Sequence, residues 1–288
     1  MRKLFLAMVV LGALALPSSA LAAPTGEFAK FAKCPVSNAT IDACFYSAST
    51  SGEVTTGAKT VPIVNSQILQ GGLDYLDESF TGRLAFLAAS DGNTLPKTPQ
   101  PVPGGLLGVT APSWWPSILR DLFNETINNG FTGVTATVEL AAPASSIKLN
   151  NLAALIQSGT ALEMPVKIKL GNPFLGSSCY IGSNSNPIVW KFTTGTTSPP
   201  APNKPITGSP GTLTANEGTT IVRDTGAKLV DNSFAVPGAS GCGGFLFSWA
   251  VDPFVNSIVG IPSPAGTNTA ILVNNIEYAD PAAVKASE

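Results

Sequence analysis

Three runs of alternating apolar and polar residues constrain the fold of this chain most. Successive side chains on a strand point to opposite faces, so a period of two predicts strands with one buried and one solvated face. This alternation is typical of antiparallel sheets. The sequence therefore predicts a mainly β protein, an antiparallel β-sandwich with long loops and one or two short helices packed against it. The apolar positions are Val134, Ala136, Val138 and Leu140, then Met164, Val166, Ile168 and Leu170, then Ile188, Trp190 and Phe192.

Charged residues fall on the polar side of these runs. Glu139 belongs to the first run, and Lys167, Lys169 and Lys191 belong to the next two. This distribution favours cross-strand ion pairs on a solvated face. Pro165 has no N–H for a strand ladder, so we expect it at an edge or a bulge.

The N-terminal residues have the pattern of a secretory signal peptide. Arg2 and Lys3 precede an apolar run over 4–16, and Ala20-Leu21-Ala22 fits the small-x-small cleavage rule. We therefore expect residues 1–22 to be removed on export. Residues 23–288 would then form a single β-rich extracellular domain, secreted or associated with the cell surface. The Pro-, Gly- and Thr-rich stretch 195–218 is either a long loop of that domain or a linker between domains.

The charge of the chain excludes some classes of partner. Sixteen Lys and Arg residues face 18 Asp and Glu residues, and charged residues make up only 12% of the sequence. Without clustered basic residues, nucleic-acid binding is disfavoured. After the N-terminus no apolar run is long enough for a transmembrane helix. A cell-wall, glycan or protein partner stays open, as does the oligomeric state.

The four cysteines predict disulfide bonds in an exported chain. We expect the pairs Cys34–Cys44 and Cys179–Cys242, the second of which encloses the Pro-rich stretch. The alternative, a metal site, is disfavoured because the chain has no histidine and no CxxC spacing. No cofactor motif is present.

The clearest helical pattern spans 113–130. Its apolar residues, expected to dock onto the sheets, are Trp115, Ile118, Leu119, Leu122, Phe123 and Ile127. Trp114 lies about 100° away from Trp115 around the helix axis, so we predict an exposed ring. Trp114 and Trp115 are the candidate ligand-binding residues, for an apolar or carbohydrate ligand. A second helix is expected from Asp252-Pro253 to Gly260, whereas 245–251 fits either a strand or a helix.

Three short motifs resemble catalytic signatures, each with a structural alternative. Residues 224–227 (DTGA) are similar to the aspartic-protease motif, but no second copy exists to form the dyad, and a turn between strands explains them. Residues 52–60 (GEVTTGAKT) resemble a phosphate-binding loop with its lysine out of register, which favours a hairpin turn. Ser145 and Lys148 form a Ser-x-x-Lys pattern without its partner motifs.

Three functional classes remain. The first is an exported, non-catalytic protein of the cell surface or matrix, and the second is a module that binds an apolar or carbohydrate ligand. The third is a hydrolase that uses a carboxylate pair. A concave pocket with two carboxylates favours the third class, an apolar cavity favours the second, and a filled interior leaves the first. The carboxylates considered for the third class are Asp74, Asp77, Glu78, Asp121, Glu125, Glu163 and Asp252.

Overall fold

The structure is a computed structural model, and it describes residues 22–76, 83–128, 131–216, 218 and 220–288. Residues 1–21, which hold nearly all of the expected signal peptide, lie outside the described residues. So do Asp77, Glu78 and Gly130.

The described chain is mainly β and antiparallel, as the sequence predicts. The first strands are β1 (Ala43–Thr56), β2 (Lys59–Pro62), β3 (Gln67–Tyr75), β4 (Arg83–Ala88), β5 (Gln100–Pro101), β6 (Thr135–Leu140) and β7 (Lys148–Asn150). They are followed by β8 (Leu162–Gly171), β9 (Tyr180–Ile181), β10 (Ile188–Phe192), β11 (Thr212–Asn216), β12 (Ile221–Asp231), β13 (Ala239–Ser240) and β14 (Thr269–Ala279). The α-helices are α1 (Ser117–Asn128), α2 (Asn151–Ile156), α3 (Gly244–Val259) and α4 (Pro281–Ala286), and 3-10 helices span Gly26–Phe31, Gly105–Leu107 and Ala144–Ser146.

Eight of these strands form a closed ring. Antiparallel ladders join them in the order β12-β14-β1-β3-β4-β7-β8-β10. The ring closes where Thr193, just after β10, forms an antiparallel bridge with Val230 on β12. Continuous hydrogen bonding thus joins the two sides of the core. The two-sheet sandwich stays a prediction that is consistent with opposite sides of this ring facing each other.

Both predicted disulfides are present. Cys34–Cys44 ties the segment before β1 to that strand, and Cys179–Cys242 ties the loop before β9 to the segment before α3. Hydrogen bonds hold the Pro-rich stretch 195–218 to the rest of the chain at several of its described residues. Ser209 exchanges two backbone bonds with Lys228 on β12, and Asn203 Nδ2 donates to the carbonyl oxygens of Asn232 and Asn268.

The alternation predicted for β8 and β10 is confirmed, whereas β6 departs from it. Residues on β8 and β10 alternate between buried and more exposed positions. On β6, however, Thr137 and Glu139 are buried, so the expected solvated face is wrong there. Glu139 lies opposite Lys167 in the ladder, yet its ion pair is with Lys97, Nζ to Oε1 3.2 Å, from the segment between β4 and β5.

Pro165 does not lie at an edge of the sheet. On one side of β8 the neighbouring strand changes from β7, opposite residues 162–163, to β6, opposite residues 166–171. Pro165 falls in this gap, and its carbonyl oxygen accepts a hydrogen bond from Ala141 N. A residue without an N–H is tolerated there because the ladder is already interrupted.

Strand β3 contains two glycines, Gly71 and Gly72. A Cβ at Gly71 would lie 2.3 Å from the Leu87 carbonyl oxygen and 2.9 Å from the ring of Phe86. The glycine therefore lets the buried Phe86 ring approach the strand backbone closely.

The two longer helices differ from expectation. The apolar side chains of α1 at Ile118, Leu119 and Leu122 are exposed, so its stripe does not dock onto the sheets as predicted. Helix α3 begins at Gly244 and not at Asp252, which leaves Pro253 inside the helix. Its second half packs on the core through Val251, Val255 and Val259, and α2 does so through Ala154.

Candidate functional site: an apolar cavity inside the strand ring

The ring encloses a cavity of ≈ 360 Å³. Its lining is mainly apolar and comes from β1, β3, β8, β10, β12 and β14, with helix α2 contributing at one end. This volume falls within the range of small-molecule pockets, which are mostly apolar with a few placed polar groups. The central lining residues are Phe45, Leu69, Leu162, Met164, Phe192, Leu272 and Ile276.

The cavity exists because small side chains occupy inward positions in the middle of the ring. Ser47 and Ser49 on β1 are buried and line the cavity. In the ladders, Ser47 lies between Leu69 on β3 and Ile276 on β14, which line it too. Large residues at Ser47 and Ser49 would fill this space. The period-two pattern decides which side chains point inward, and the small size of these two leaves the cavity unfilled.

One end of the cavity reaches the surface. Tyr75, Leu155, Leu213 and Val222 line it and are all partly exposed. These residues come from the end of β3, from α2, and from the paired strands β11 and β12. We refer to these four residues, together with Asp224, as the mouth.

Asp224 is the one carboxylate among the described lining residues. Desolvation raises the pKa of this carboxyl above its ordinary value, and the backbone N–H of Gly211 acts in the opposite direction. Burial also raises the pKa of Tyr278 far above its ordinary value, and the nearby Asp224 adds to this effect. The Tyr278 hydroxyl donates to Asn151 Oδ1 at 3.2 Å. An uncharged Tyr278 and a half-buried carboxylate therefore flank the entrance.

Besides Oδ1 of Asp224 at the mouth, two buried polar atoms of lining residues lack a hydrogen-bond partner in the described part of the chain. They are the indole Nε1 of Trp190 and Oε1 of Gln67, whose Nε2 donates to the Thr98 carbonyl oxygen. By contrast, the Ser49 hydroxyl donates a hydrogen bond to Asn274 Oδ1, with an Oγ···Oδ1 distance of 2.6 Å. Buried polar atoms are normally paired, so these two are available for a hydrogen-bonding group of a ligand.

The tryptophans proposed from sequence are not part of this cavity. Trp114 is exposed, as predicted, and its ring contacts that of Trp115, which contacts Phe123. These rings line a shallow groove on α1 itself. The cavity could not be identified from the sequence, because the residues that line it have the same apolar pattern as residues of a filled core.

The carboxylates considered for hydrolysis are dispersed. Glu163 pairs with Lys148, Nζ to Oε1 2.6 Å. Asp252 accepts from the backbone N–H groups of Gly241 and Cys242. Asp121 and Glu125 are exposed on α1, and Asp74 does not line the cavity. Within the described ranges, no cluster of three or more Cys, Asp or Glu residues suits a metal ion.

Each motif-like segment has a structural role. Residues 52–60 form the predicted hairpin between β1 and β2. Residues 224–227 lie within β12, where Gly226 forms a bulge between Thr225 and Ala227, so a turn between two strands is wrong. Gly226 has φ +77°, and its N–H donates to Asn275 Oδ1, which stabilises the bulge. In the Ser-x-x-Lys segment, Ser145 belongs to the 3-10 helix Ala144–Ser146, and Lys148 pairs with Glu163.

Comparisons of this chain with known protein families, with curated proteins and with solved structures found no match. In the part of the chain that the structure describes, no helix has the length and apolar content needed to cross a membrane.

Proposed function

We propose that this chain is an exported protein that binds an uncharged, largely apolar small molecule inside the strand ring. The observation that carries the proposal is the apolar cavity, open at one end, with a single carboxylate among its described lining residues. A carboxylate-pair hydrolase needs two such groups flanking the substrate. An apolar cavity is the feature expected of a binding module.

Export is supported by the N-terminal pattern and by the two disulfides. The residues that would form a signal peptide carry the charge and apolar run typical of one. Disulfides form and persist in oxidising compartments, which fits an extracellular protein. A ligand-binding role is also compatible with the first expectation, a non-catalytic protein of the cell surface or matrix.

The lining limits the class of ligand. Asp224 at the mouth disfavours an anionic molecule, and the apolar walls disfavour a charged molecule of either sign. Trp190 offers a hydrogen-bond donor and Gln67 an acceptor. A hydroxyl group can pair with either of these atoms, and a carbonyl group can accept from the indole N–H. The ligand class is therefore a neutral molecule with an apolar body and few polar groups.

Fluorescence titration with N-phenyl-1-naphthylamine, a neutral apolar probe, tests this function. We expect saturable binding at one site per chain and competition by uncharged long-chain alcohols. Linear, non-saturating fluorescence, or saturation that long-chain alcohols leave unchanged, would overturn the proposal.

A further inference from the structure

Two helices expose an unusual amount of apolar surface. In the first turns of α3, the exposed fractions are 97% for Phe245, 71% for Leu246, 60% for Phe247 and 79% for Trp249. At α1, Trp114, Ile118, Leu119 and Leu122 are also exposed. Proteins that work alone in water rarely expose such contiguous patches, which mark interaction sites.

A series of local contacts connects the chain after α1 with the start of α3. Phe131 follows the end of α1 by three residues, and its ring lies 6.1 Å from that of Phe174. Asn172 Nδ2 fixes this contact by donating to the Phe131 carbonyl oxygen. Leu175, the next residue after Phe174, accepts a hydrogen bond from Gly243, which caps the start of α3. We call the exposed apolar side chains of α1 and α3, together with Trp114, Phe131 and Phe174, the apolar surface.

We propose that the apolar surface inserts into the interfacial region of a lipid bilayer. The arrangement of side chains on α3 favours lipid over a protein partner. Each residue turns the helix by about 100°, so Phe245, Leu246 and Phe247 cover an arc of about 200°. A protein usually receives one face of a helix in a groove. Hydrocarbon chains are fluid and surround side chains that project in several directions, as in amphipathic helices that lie in the membrane interface.

The distribution of charge indicates which lipids are suitable. No charged residue occurs in 104–119 or in 241–251, and the charged residues of α1, Arg120, Asp121 and Glu125, include two acids. An anionic headgroup therefore gains no electrostatic attraction. Binding should depend on apolar burial alone and be insensitive to salt and to anionic lipid. Tryptophan and phenylalanine are side chains suited to this interfacial depth.

Vesicle flotation tests the proposal, with the chain beginning at Ala23 as the protein. This form contains nearly every described residue and removes the N-terminal apolar run, which would itself bind lipid. With phosphatidylcholine vesicles, we expect binding that 0.5 M salt leaves unchanged and that added phosphatidylserine does not strengthen. The double variant Phe245→Asp/Trp249→Asp should bind at least tenfold more weakly. Val64→Asp, a change at an exposed apolar residue outside the apolar surface, should bind as the parent chain does.

Two results would overturn the proposal. One is a parent chain that stays with the aqueous fraction at all lipid concentrations. The other is a parent chain that does not bind vesicles but sediments as a dimer, while the double variant sediments as a monomer. The apolar surface would then join two copies of the chain. Far-ultraviolet circular dichroism checks that the double variant is folded. Its binding of N-phenyl-1-naphthylamine should be unchanged, so lipid docking and cavity binding can fail separately.

Discussion

Thr193 and Val230 exchange two backbone hydrogen bonds, with N···O distances of 3.0 Å and 2.9 Å. The two residues lie 37 positions apart in the chain, on either side of the Pro-rich stretch. Beside them, the Asp231 carboxylate accepts from Lys191 N at 2.7 Å. Without these bonds, β10 would be separated from β12, and the cavity would have no continuous wall at this point.

Thr193→Pro should open the ring at this point. The substitution removes the N–H that bonds to the Val230 carbonyl oxygen and leaves that buried oxygen unpaired. We expect a loss of about 2–4 kcal/mol in the free energy of unfolding, measured by urea denaturation, and weaker probe binding. Thr193→Ala is the matched control because it keeps the N–H. Equal stability of the proline and alanine variants would show that this bridge does not hold the ring closed.

The two disulfides should contribute unequally to stability. Cys179–Cys242 spans 63 residues, and Cys34–Cys44 spans 10. In the chain-entropy model these loops correspond to about 4 and about 3 kcal/mol of stabilisation. Calorimetry should therefore show a larger drop in melting temperature for Cys242→Ala than for Cys44→Ala. The reverse order would mean that contacts around the N-terminal bridge outweigh loop entropy.

The tryptophans should separate into core and surface residues. Trp190 is buried against Phe192 and Phe234, so Trp190→Ala should cost about 3–5 kcal/mol. The aromatic rings that contact Trp115 are those of Trp114 and Phe123, which line the same groove on α1. Trp115→Ala should therefore lower the free energy of unfolding by about 1 kcal/mol or less. Thermal or urea unfolding of both variants measures the difference. A loss above 3 kcal/mol for Trp115→Ala would show that α1 docks onto the body of the protein.

Local patterns explain why the strands and the disulfides could be predicted from the sequence. A period of two reports burial directly, as on β8, where Val166 and Ile168 are buried as expected. The prediction that the apolar stripe of α1 docks onto the sheets was wrong for a physical reason. Helical periodicity shows that one face is apolar, but it does not say whether protein or another medium covers that face. Ile118 and Leu122 belong to the apolar face of α1, and the rest of the protein leaves both exposed.

The cavity could not be predicted because it depends on distant pairings. The Thr193–Val230 bridge and the placement of Ser47 between Leu69 and Ile276 bring together residues far apart in the chain. From the sequence, Asp224 at the mouth was singled out only as part of a protease-like motif. Its actual position results from the Gly226 bulge, which shifts the register of β12 beside Asp224.

Stability should depend on the ionisation of Asp224. Burial raises its pKa in the folded state above the ordinary value of 3.8. The folded protein therefore binds this proton more tightly than the unfolded chain, and stability falls as pH rises from the unfolded to the folded pKa. At pH 7, Asp224→Asn should melt at a higher temperature than the parent chain. The difference should shrink as pH is lowered toward 4, and a constant difference from pH 4 to 7 would contradict this effect.

Filling the cavity tests the central claim most directly. Ser47→Phe places a ring between Leu69 and Ile276 inside the ring of strands, whereas Ala48→Phe adds the same ring at the next, outward-facing position of β1. Titration of both folded variants with N-phenyl-1-naphthylamine measures the affinity for the probe. We predict at least a tenfold loss for Ser47→Phe and no change for Ala48→Phe. Unchanged affinity in a folded Ser47→Phe variant would contradict binding inside the strand ring.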